Sequence, residues 1–291
     1  MITGRIVKGI GGFYTVHTDD GADVVCKARG RFRRNGITPM IGDRVEVLPQ
    51  RDGNYAIEKI LPRRNTLVRP PVANIDRLVI TVAACAPQPD WLLVDKLILS
   101  AKCADIEPIL VLNKIDVPDS GIVEAFRTDY RAFDRLMVST RSGEGIDALS
   151  EKLSGVVSSF AGQSAVGKSS LINALIPELQ LETGGLTRKT DRGRHTTRHA
   201  ELWPFRGGAV LDTPGFSLLS ADDIEQEVLD RCYPEFGDAP QHCRFPACSH
   251  ISEPDCAVKP LLAENVLSAG RYARYQILSD EIKQRRKHRY D

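Results

Sequence analysis

The first 67 residues alternate apolar and polar positions over short stretches, "GRIVKGIGGFYTVHT", "ADVVCKARG", "GDRVEVLP" and "NYAIEKILP", each bounded by Gly, Asp or Pro. This period-two pattern, punctuated by turn residues, predicts short antiparallel strands, and a five-stranded oligonucleotide-binding (OB-like) β-barrel fits the length, as would another small barrel of the same size. "RPPVAN" (69–74) follows, and its two prolines predict a linker without regular structure. Beyond it the texture changes. "RLVITVAA" (77–84) is an unbroken apolar run, as expected of a strand buried on both faces. "WLLVDKLILSAKCA" (91–104) has helical spacing. "PILVLNK" (108–114), "RLMVST" (135–140) and "GVVSSFAG" (155–162) read as strands, with helical stretches between and after them. Strands alternating with helices predict an α/β domain with a mainly parallel sheet over residues 68–218. From 219 to 291 the strand patterns stop, and an α-helical domain around a Cys/His-rich loop is expected, closed by the helix "AGRYARYQILSDEIKQRRKHR".

The chain has 291 residues, 42% hydrophobic and 26% charged, which is globular and long enough for two or three domains. No run approaches the ~18 consecutive apolar residues of a membrane span. The start, "MITGRIVKGI", lacks the apolar core of a signal peptide, so a cytoplasmic protein is expected. The net charge of +1 conceals basic patches: residues 1–67 carry twelve Lys/Arg against seven Asp/Glu, and "TRKTDRGRHTTR" (187–198) and "KQRRKHR" (283–289) are basic too. Any one patch reads as solvated surface, and their combination is compatible with RNA binding. Seven cysteines in such a chain do not suggest disulfides. Cys85 and Cys103 adjoin apolar stretches and read as plain buried residues.

The candidate chemistry begins at "GQSAVGKSS". Gly162, Gln163, Ser164, Ala165, Val166, Gly167, Lys168 and Ser169 match G-x-x-x-x-G-K-[ST], with Ser170 next. The glycines let successive N–H groups face phosphates, and the following helix points its positive end at the same anion. Lys168 is the candidate for the β- and γ-phosphates and the Ser169 hydroxyl for Mg²⁺. "AVLDTPG" (209–215) supplies Asp212 beside the magnesium shell and the Gly215 N–H for the γ-phosphate. Between them, "GRHTTR" (193–198) offers a hydroxyl for the magnesium, and spacing does not choose between Thr196 and Thr197. Upstream, "VLNKID" places Asn113, Lys114 and Asp116 after a buried strand. A carboxylate accepts from guanine N1–H and N2–H₂, whereas adenine presents an acceptor there, so Asp116 is the expected selector. Asn113 is expected to brace the loop and the Lys114 stem to lie over the base. Ser139 and Thr140, with Arg141, form the second candidate loop at the base.

The order of these motifs is unusual. Base-recognising segments at 113–116 and 139–141 precede the phosphate loop at 162–169, the Thr pair and DTPG (212–215). With "GEGIDAL", "GQSAVGKSSLINAL", "GRHTTR" and "LDTPGF", this order resembles the ribosome small-subunit-dependent GTPase A family, circularly permuted bacterial GTPases of ribosome biogenesis. The resemblance implies a circularly permuted P-loop GTPase that acts late in maturation of the 30S ribosomal subunit and hydrolyses GTP to GDP in a ribosome-stimulated cycle. It also implies 16S rRNA as partner. Nothing suggests more than a monomer. Ala165 stands where the family usually has Gly, which raises loop strain if that position needs a positive φ. Arg198 stands where another Thr is common. Phe216 occupies the place of the Gln that orients the attacking water in familiar GTPases, and a phenyl ring cannot do so. His195 is the nominated substitute.

"CRFPACSHISEPDC" spaces Cys243, Cys248, His250 and Cys256 as a closed tetrahedral set for one structural Zn²⁺, which the resemblance also implies. Two other classes compete: a GTP-dependent enzyme that transfers phosphate to a small acceptor, for which no clear acid/base candidate is evident, and a signalling switch bound to protein or membrane, the membrane version of which no lipidation signal supports. The permutation joins DTPG directly to the zinc domain and leads the barrel into the base-recognition half, so two candidate RNA-binding modules flank the nucleotide site.

Overall fold

The computed structural model describes residues 2–34, 36–50, 54–67, 71–181, 200–212 and 226–290. The N-terminal strands β1 (Ile2–Ile10), β2 (Phe13–Thr18) and β3 (Asp23–Ala28) are followed by a short helix α1 (Gly30–Arg34) and by β4 (Arg44–Pro49) and β5 (Tyr55–Ile60). They are hydrogen-bonded in the order β1-β2-β3-β5-β4, and β4 pairs back onto β1, which closes the five-stranded barrel. Its interior is filled by Ile6, Val16, Cys26, Val45, Val47 and Ile57, the inward positions of the alternating pattern.

The described part of the linker, residues 71–74, is more ordered than its prolines suggest. β6 (Thr66–Leu67) and β7 (Val72–Ala73) form a two-residue antiparallel ladder. A proline removes a donor only at its own position, so the residues after it remain free to pair. Asn65 then seats the barrel on the next domain: it accepts from Ile75 N at 2.9 Å and donates to Ile75 O at 2.8 Å. Beside it Arg64 pairs with Asp76 at 2.7 Å.

The central domain runs β8 (Arg77–Ala83), α2 (Trp91–Cys103), β9 (Glu107–Asn113), α3 (Ser120–Asp129), β10 (Arg135–Met137), α4 (Ile146–Lys152), β11 (Val157–Ala161), α5 (Lys168–Leu175), β12 (Glu201–Phe205) and β13 (Gly208–Asp212). The sheet order is β10-β9-β8-β11-β13-β12. The first five strands are parallel and β12 is antiparallel to β13. Apolar side chains fill both faces, which explains the unbroken runs. Leu78, Ile80, Leu110 and Leu112 belong to one core with α2, while Val79, Ile109, Val111 and Phe160 pack with α4 and α5. The chain leaves the edge strand β10 and re-enters at β11 in the middle of the sheet. That jump is the circular permutation in spatial form. β12 is absent from the strands expected of the sequence, and its outer side pairs with β1 at Lys8↔Glu201, so barrel and central sheet form one ladder of eleven strands.

The C-terminal part contains α6 (Gln226–Arg231), α7 (Pro260–Ala263) and the long α8 (Ala269–Tyr290). It packs on α2 and α3 through a buried ionic cluster. Arg274 donates through Nε to Asp95 Oδ2 and through Nη2 to Asp129 Oδ2, both at 2.8 Å. Arg271 Nη1 lies 2.7 Å from Asp95 Oδ1, an ion pair without hydrogen-bond alignment, and its Nε donates to Glu235 at 3.2 Å. The Arg271 guanidinium also covers the Tyr233 ring at 3.9 Å. Tyr130 donates its hydroxyl to Asp95 Oδ1 at 2.7 Å. Gly270 permits the approach: a Cβ there would meet Asp129 Oδ2 at 2.8 Å. Cys103, expected to be buried, is exposed at the end of α2, and Cys85 is half-buried. Proximity to an apolar run does not fix which face a residue occupies. Among the described residues no helix is long and apolar enough to cross a membrane.

Asp95 and Arg271 are each only 1% exposed, so removing one charge strands the others in a medium of low dielectric. Asp95→Ala is expected to lower the free energy of unfolding by about 3–5 kcal/mol in urea titrations.

Candidate nucleotide site and metal centre

The site lies at the carboxyl ends of the parallel strands, where the order of strands turns around β11. β11 ends at Ala161, and the chain passes through Gly162 (φ 135°) and Gly167 (φ 98°) before α5 begins. Ala165 has φ 63°, so the position does need the left-handed region, at a cost of about 1–2 kcal/mol for a residue with a Cβ. Val166 is buried, while Ser164 and Ala165 form the exposed tip and Ser169 and Ser170 are half-buried in the first turn of α5. Lys168 curls back over the loop. Its Nζ donates to Gly162 O at 2.9 Å and Gln163 O at 2.5 Å, and desolvation lowers its pKa.

Residues from the upstream half meet this loop directly. Asn113 Nδ2 donates to Val166 O at 3.0 Å across 53 residues of sequence. Lys114 (φ 68°) reaches across with its Nζ 2.8 Å from both Ala86 O and Ala165 O. Gly167 makes room for the contact, since a Cβ there would stand 2.3 Å from Asn113 Nδ2. The Asp116 carboxylate is fixed by Ser139, whose Oγ donates to Oδ1 at 2.7 Å and accepts from Arg141 N at 3.2 Å and Ser142 N at 3.1 Å. Arg141 Nη1 stands 3.7 Å from Asp116 Oδ2. Thr140 is half-buried beside Ser139. Asp212 is the last residue of β13, the strand adjoining β11. His195, Thr196, Thr197, Gly215 and Phe216 lie outside the described residues.

One contact escaped sequence reasoning. Gln163 accepts from Asp90 N at 2.9 Å and donates to Gln88 O at 3.2 Å, which ties the phosphate loop to the start of α2. Its signal was the helix N-cap Asp90, whose side chain accepts from Leu93 N.

The second cluster is built by irregular chain between α6 and α7. The donor atoms of Cys243, Cys248, His250 and Cys256 lie within 4.8 Å of one another. His250 Nδ1 is 3.5 Å from both Cys243 Sγ and Cys256 Sγ, and these two sulfurs are 4.0 Å apart. Tetrahedral zinc with ~2.3 Å bonds to sulfur and ~2.0–2.1 Å to nitrogen places its ligand atoms at about these separations. The other ring nitrogen, Nε2, faces Asp230 at 3.4 Å, the arrangement that fixes the tautomer and leaves Nδ1 for a metal. Burial raises the Cys248 thiol, and a metal ion bound at the cluster would favour its thiolate. Glu253 accepts from Ser249 N at 2.9 Å and from Ile251 N at 3.2 Å and holds the loop in shape. Neither Asp230, upstream of the segment, nor Glu253, within it, belongs to the Cys/His pattern, and nothing in the sequence marked their roles.

Comparison with known proteins agrees with this architecture. A family model described as RsgA GTPase matches residues 60–222, and one described as RsgA N-terminal domain matches residues 3–57. A protein named small ribosomal subunit biogenesis GTPase RsgA from Caldanaerobacter subterraneus subsp. tengcongensis is 44% identical, covering 99% of this chain and 98% of its own. One of the same name from Bacillus anthracis is 42% identical over 98% of this chain and 99% of its own. The crystal structure of YjeQ from Thermotoga maritima superposes with a TM-score of 0.84 at 35% identity, covering 97% of this chain and 98% of that one. That of YloQ, described as a circularly permuted GTPase, gives 0.82 at 34% identity, covering 98% and 96%. The chain belongs to the RsgA GTPase family of GTP-hydrolysing enzymes.

Proposed function

We propose that this chain binds GTP and GDP at the braced loops, hydrolyses GTP with Mg²⁺, and uses the cycle to assist late maturation of the small ribosomal subunit. The observation that carries the reading is the contact of Asn113 and Lys114 with the phosphate loop, which makes one site of segments far apart in sequence. In it, Gly162 to Ser170 cradle the phosphates, and Lys168 exchanges its carbonyl partners for anionic oxygens. Asp116, fixed by Ser139 and flanked by Thr140, selects guanine over adenine. Ser169 and one of Thr196 and Thr197 hold the magnesium, with Asp212 beside it, and Gly215 contacts the γ-phosphate. The ion, when bound, neutralises charge on the β- and γ-phosphates. His195 orients the attacking water.

Cys243, Cys248, His250 and Cys256 hold one structural Zn²⁺. The closed four-ligand set leaves no position for substrate, so its role is to shape the C-terminal module. The barrel and this module are the surfaces offered to 16S rRNA of the 30S subunit, and the protein works in the cytoplasm as a monomer.

Three outcomes test this reading. Gly167→Ala forces Asn113 off Val166 and is expected to weaken binding of a fluorescent GTP analogue by about tenfold or more, roughly 1.4 kcal/mol. Chelation at neutral pH is expected to release one zinc per chain and to lower Tm, with loss of helical ellipticity from the C-terminal module rather than from the whole chain. Purified 30S subunits are expected to raise GTP turnover in a salt-sensitive manner, and His195→Ala is expected to remove most of that stimulation. Undiminished stimulated turnover in this variant would remove His195 from the mechanism.

A further inference from the structure

The two flanking modules are attached to the central domain by joints of different chemistry. The C-terminal module is fixed to α2 and α3, on the base-recognition side, by the Asp95–Arg271–Arg274–Asp129 cluster. These are desolvated charges with mutual partners, and such a joint does not open without exposing unpaired ions. The barrel is held on that side by Asn65, Arg64 and Asp76, at the amino ends of the strands. It makes a second attachment on the opposite side of the sheet. There Lys8 of β1 is the register partner of Glu201 in β12, and Glu201 is in turn the register partner of Asp212 in β13. One row of the ladder therefore runs from the barrel to the aspartate at the magnesium end of the site.

The details of this row favour a responsive contact over a permanent one. The Lys8 Nζ donates to Glu201 at 2.8 and 3.0 Å, but the two side chains are 38% and 26% exposed, so the ion pair forms and breaks at small cost. Among the described residues the β1–β12 pairing has a single register pair. Pro204 stands three residues on and cannot donate to a longer ladder, and β1 carries an irregularity between Ile6 and Lys8 that bends it at this point. The hairpin β12–β13, with Arg206 and Gly207 at its turn, has Glu201 and Asp212 at its open end. A shift of that end with the nucleotide reaches Lys8 without any intervening side chain.

We propose that Lys8 and Glu201 are positioning residues that couple the barrel to the magnesium end of the nucleotide site, so that the barrel reports and controls the nucleotide state while the C-terminal module stays fixed to the base-recognition half. This rests on the proposed GTP site and goes beyond it by assigning the coupling to one module. Coupling of this kind is reciprocal for binding: a partner that holds the barrel biases the hairpin as much as the nucleotide does.

The test compares hydrogen exchange of the full-length zinc-loaded protein with GDP and with a non-hydrolysable GTP analogue, and measures nucleotide binding in the same samples. The expected result is a several-fold nucleotide-dependent change of exchange in 2–10 and 201–205, with none in 91–103 or 269–284. Binding of both nucleotides with no change in β1 and β12 overturns the proposal alone, as does a change at the α2–α8 joint of equal size. Absence of nucleotide binding sinks the GTP-site reading and this inference with it. A second arm uses Lys8→Glu, Glu201→Lys and the double exchange at saturating 30S subunits. Each single variant is expected to lose several-fold in stimulated kcat with KM for the subunit changed less, and the double exchange is expected to restore kcat. A loss that the exchange does not restore, or no loss, overturns the proposal. If 30S subunits do not stimulate the unaltered protein, the ribosomal reading fails and the exchange measurement decides the coupling.

Discussion

The site depends on one buried hydrogen bond, from Asn113 Nδ2 to Val166 O. Asn113 ends β9 and Val166 lies in the loop after β11, with β8 between the two strands. Without a cross-link the two loops would be set only by their own strands, and loop geometry would carry the error of both. The amide of Asn113 converts two loops into one surface, and Gly167, with no Cβ, lets the amide come close. The bond is fully buried, so it is not exchanged with water, and leaving the Val166 carbonyl unpaired would cost about 1–3 kcal/mol. Lys114 adds a second strap over the same gap. The spatial arrangement is indifferent to which segment comes first in the chain, which is why a permuted order of motifs can still assemble a nucleotide site.

What permutation does change is where the chain enters and leaves. Its ends emerge beside β8 and β13 rather than at the strands that would otherwise terminate the domain. The zinc module is thus tethered by sequence to the end of β13 but packed by chemistry onto α2 and α3. The barrel shows the opposite pattern. It is tethered by sequence to β8 yet also pairs with β12. Connectivity alone suggests the zinc module as the moving part, since it follows the DTPG segment. The buried arginines argue otherwise, because a module anchored through desolvated ion pairs moves with the helices that carry its partners.

Legibility in the sequence followed the range of the interactions. The phosphate loop, the N-K-x-D segment and the Cys/His set are local patterns, each tied to one turn or one strand end, and their residues could be named from spacing. The alternation of the barrel and the apolar runs of β8, β9 and β11 were equally local, since burial on one or both faces leaves a period in the chain. The ionic joint was not local. Asp95 stands beside Lys96 in the otherwise apolar run "WLLVDKLILS", and Arg271 and Arg274 are spaced to share one face of α8, but neither signal names its partner. β12 was missed for a related reason. "ELWPF" is short, contains a proline and has no alternation long enough to read, and its role is set by strands β13 and β1 that lie elsewhere in the chain.

Lys168 shows how far the site is formed before a ligand arrives. Its ammonium already bonds the carbonyls of Gly162 and Gln163, yet desolvation still lowers its pKa. The two carbonyls are neutral and supply no counter-charge, which an anion would. A compact ammonium on a flexible stem suits this position, because it can leave the two carbonyls of a tight loop and turn to a phosphate by rotation of the stem alone. Ala165 is a second sign of the same condition. It holds a left-handed conformation that an alanine does not prefer, and the strap from Lys114 to its carbonyl maintains it. The N-K-x-D segment shares this condition in part: Lys114 also holds a left-handed φ of 68° and Asn113 Oδ1 is buried without a hydrogen-bond partner among the described residues, whereas the Asp116 carboxylate is held by Ser139, which its own backbone donors fix in turn.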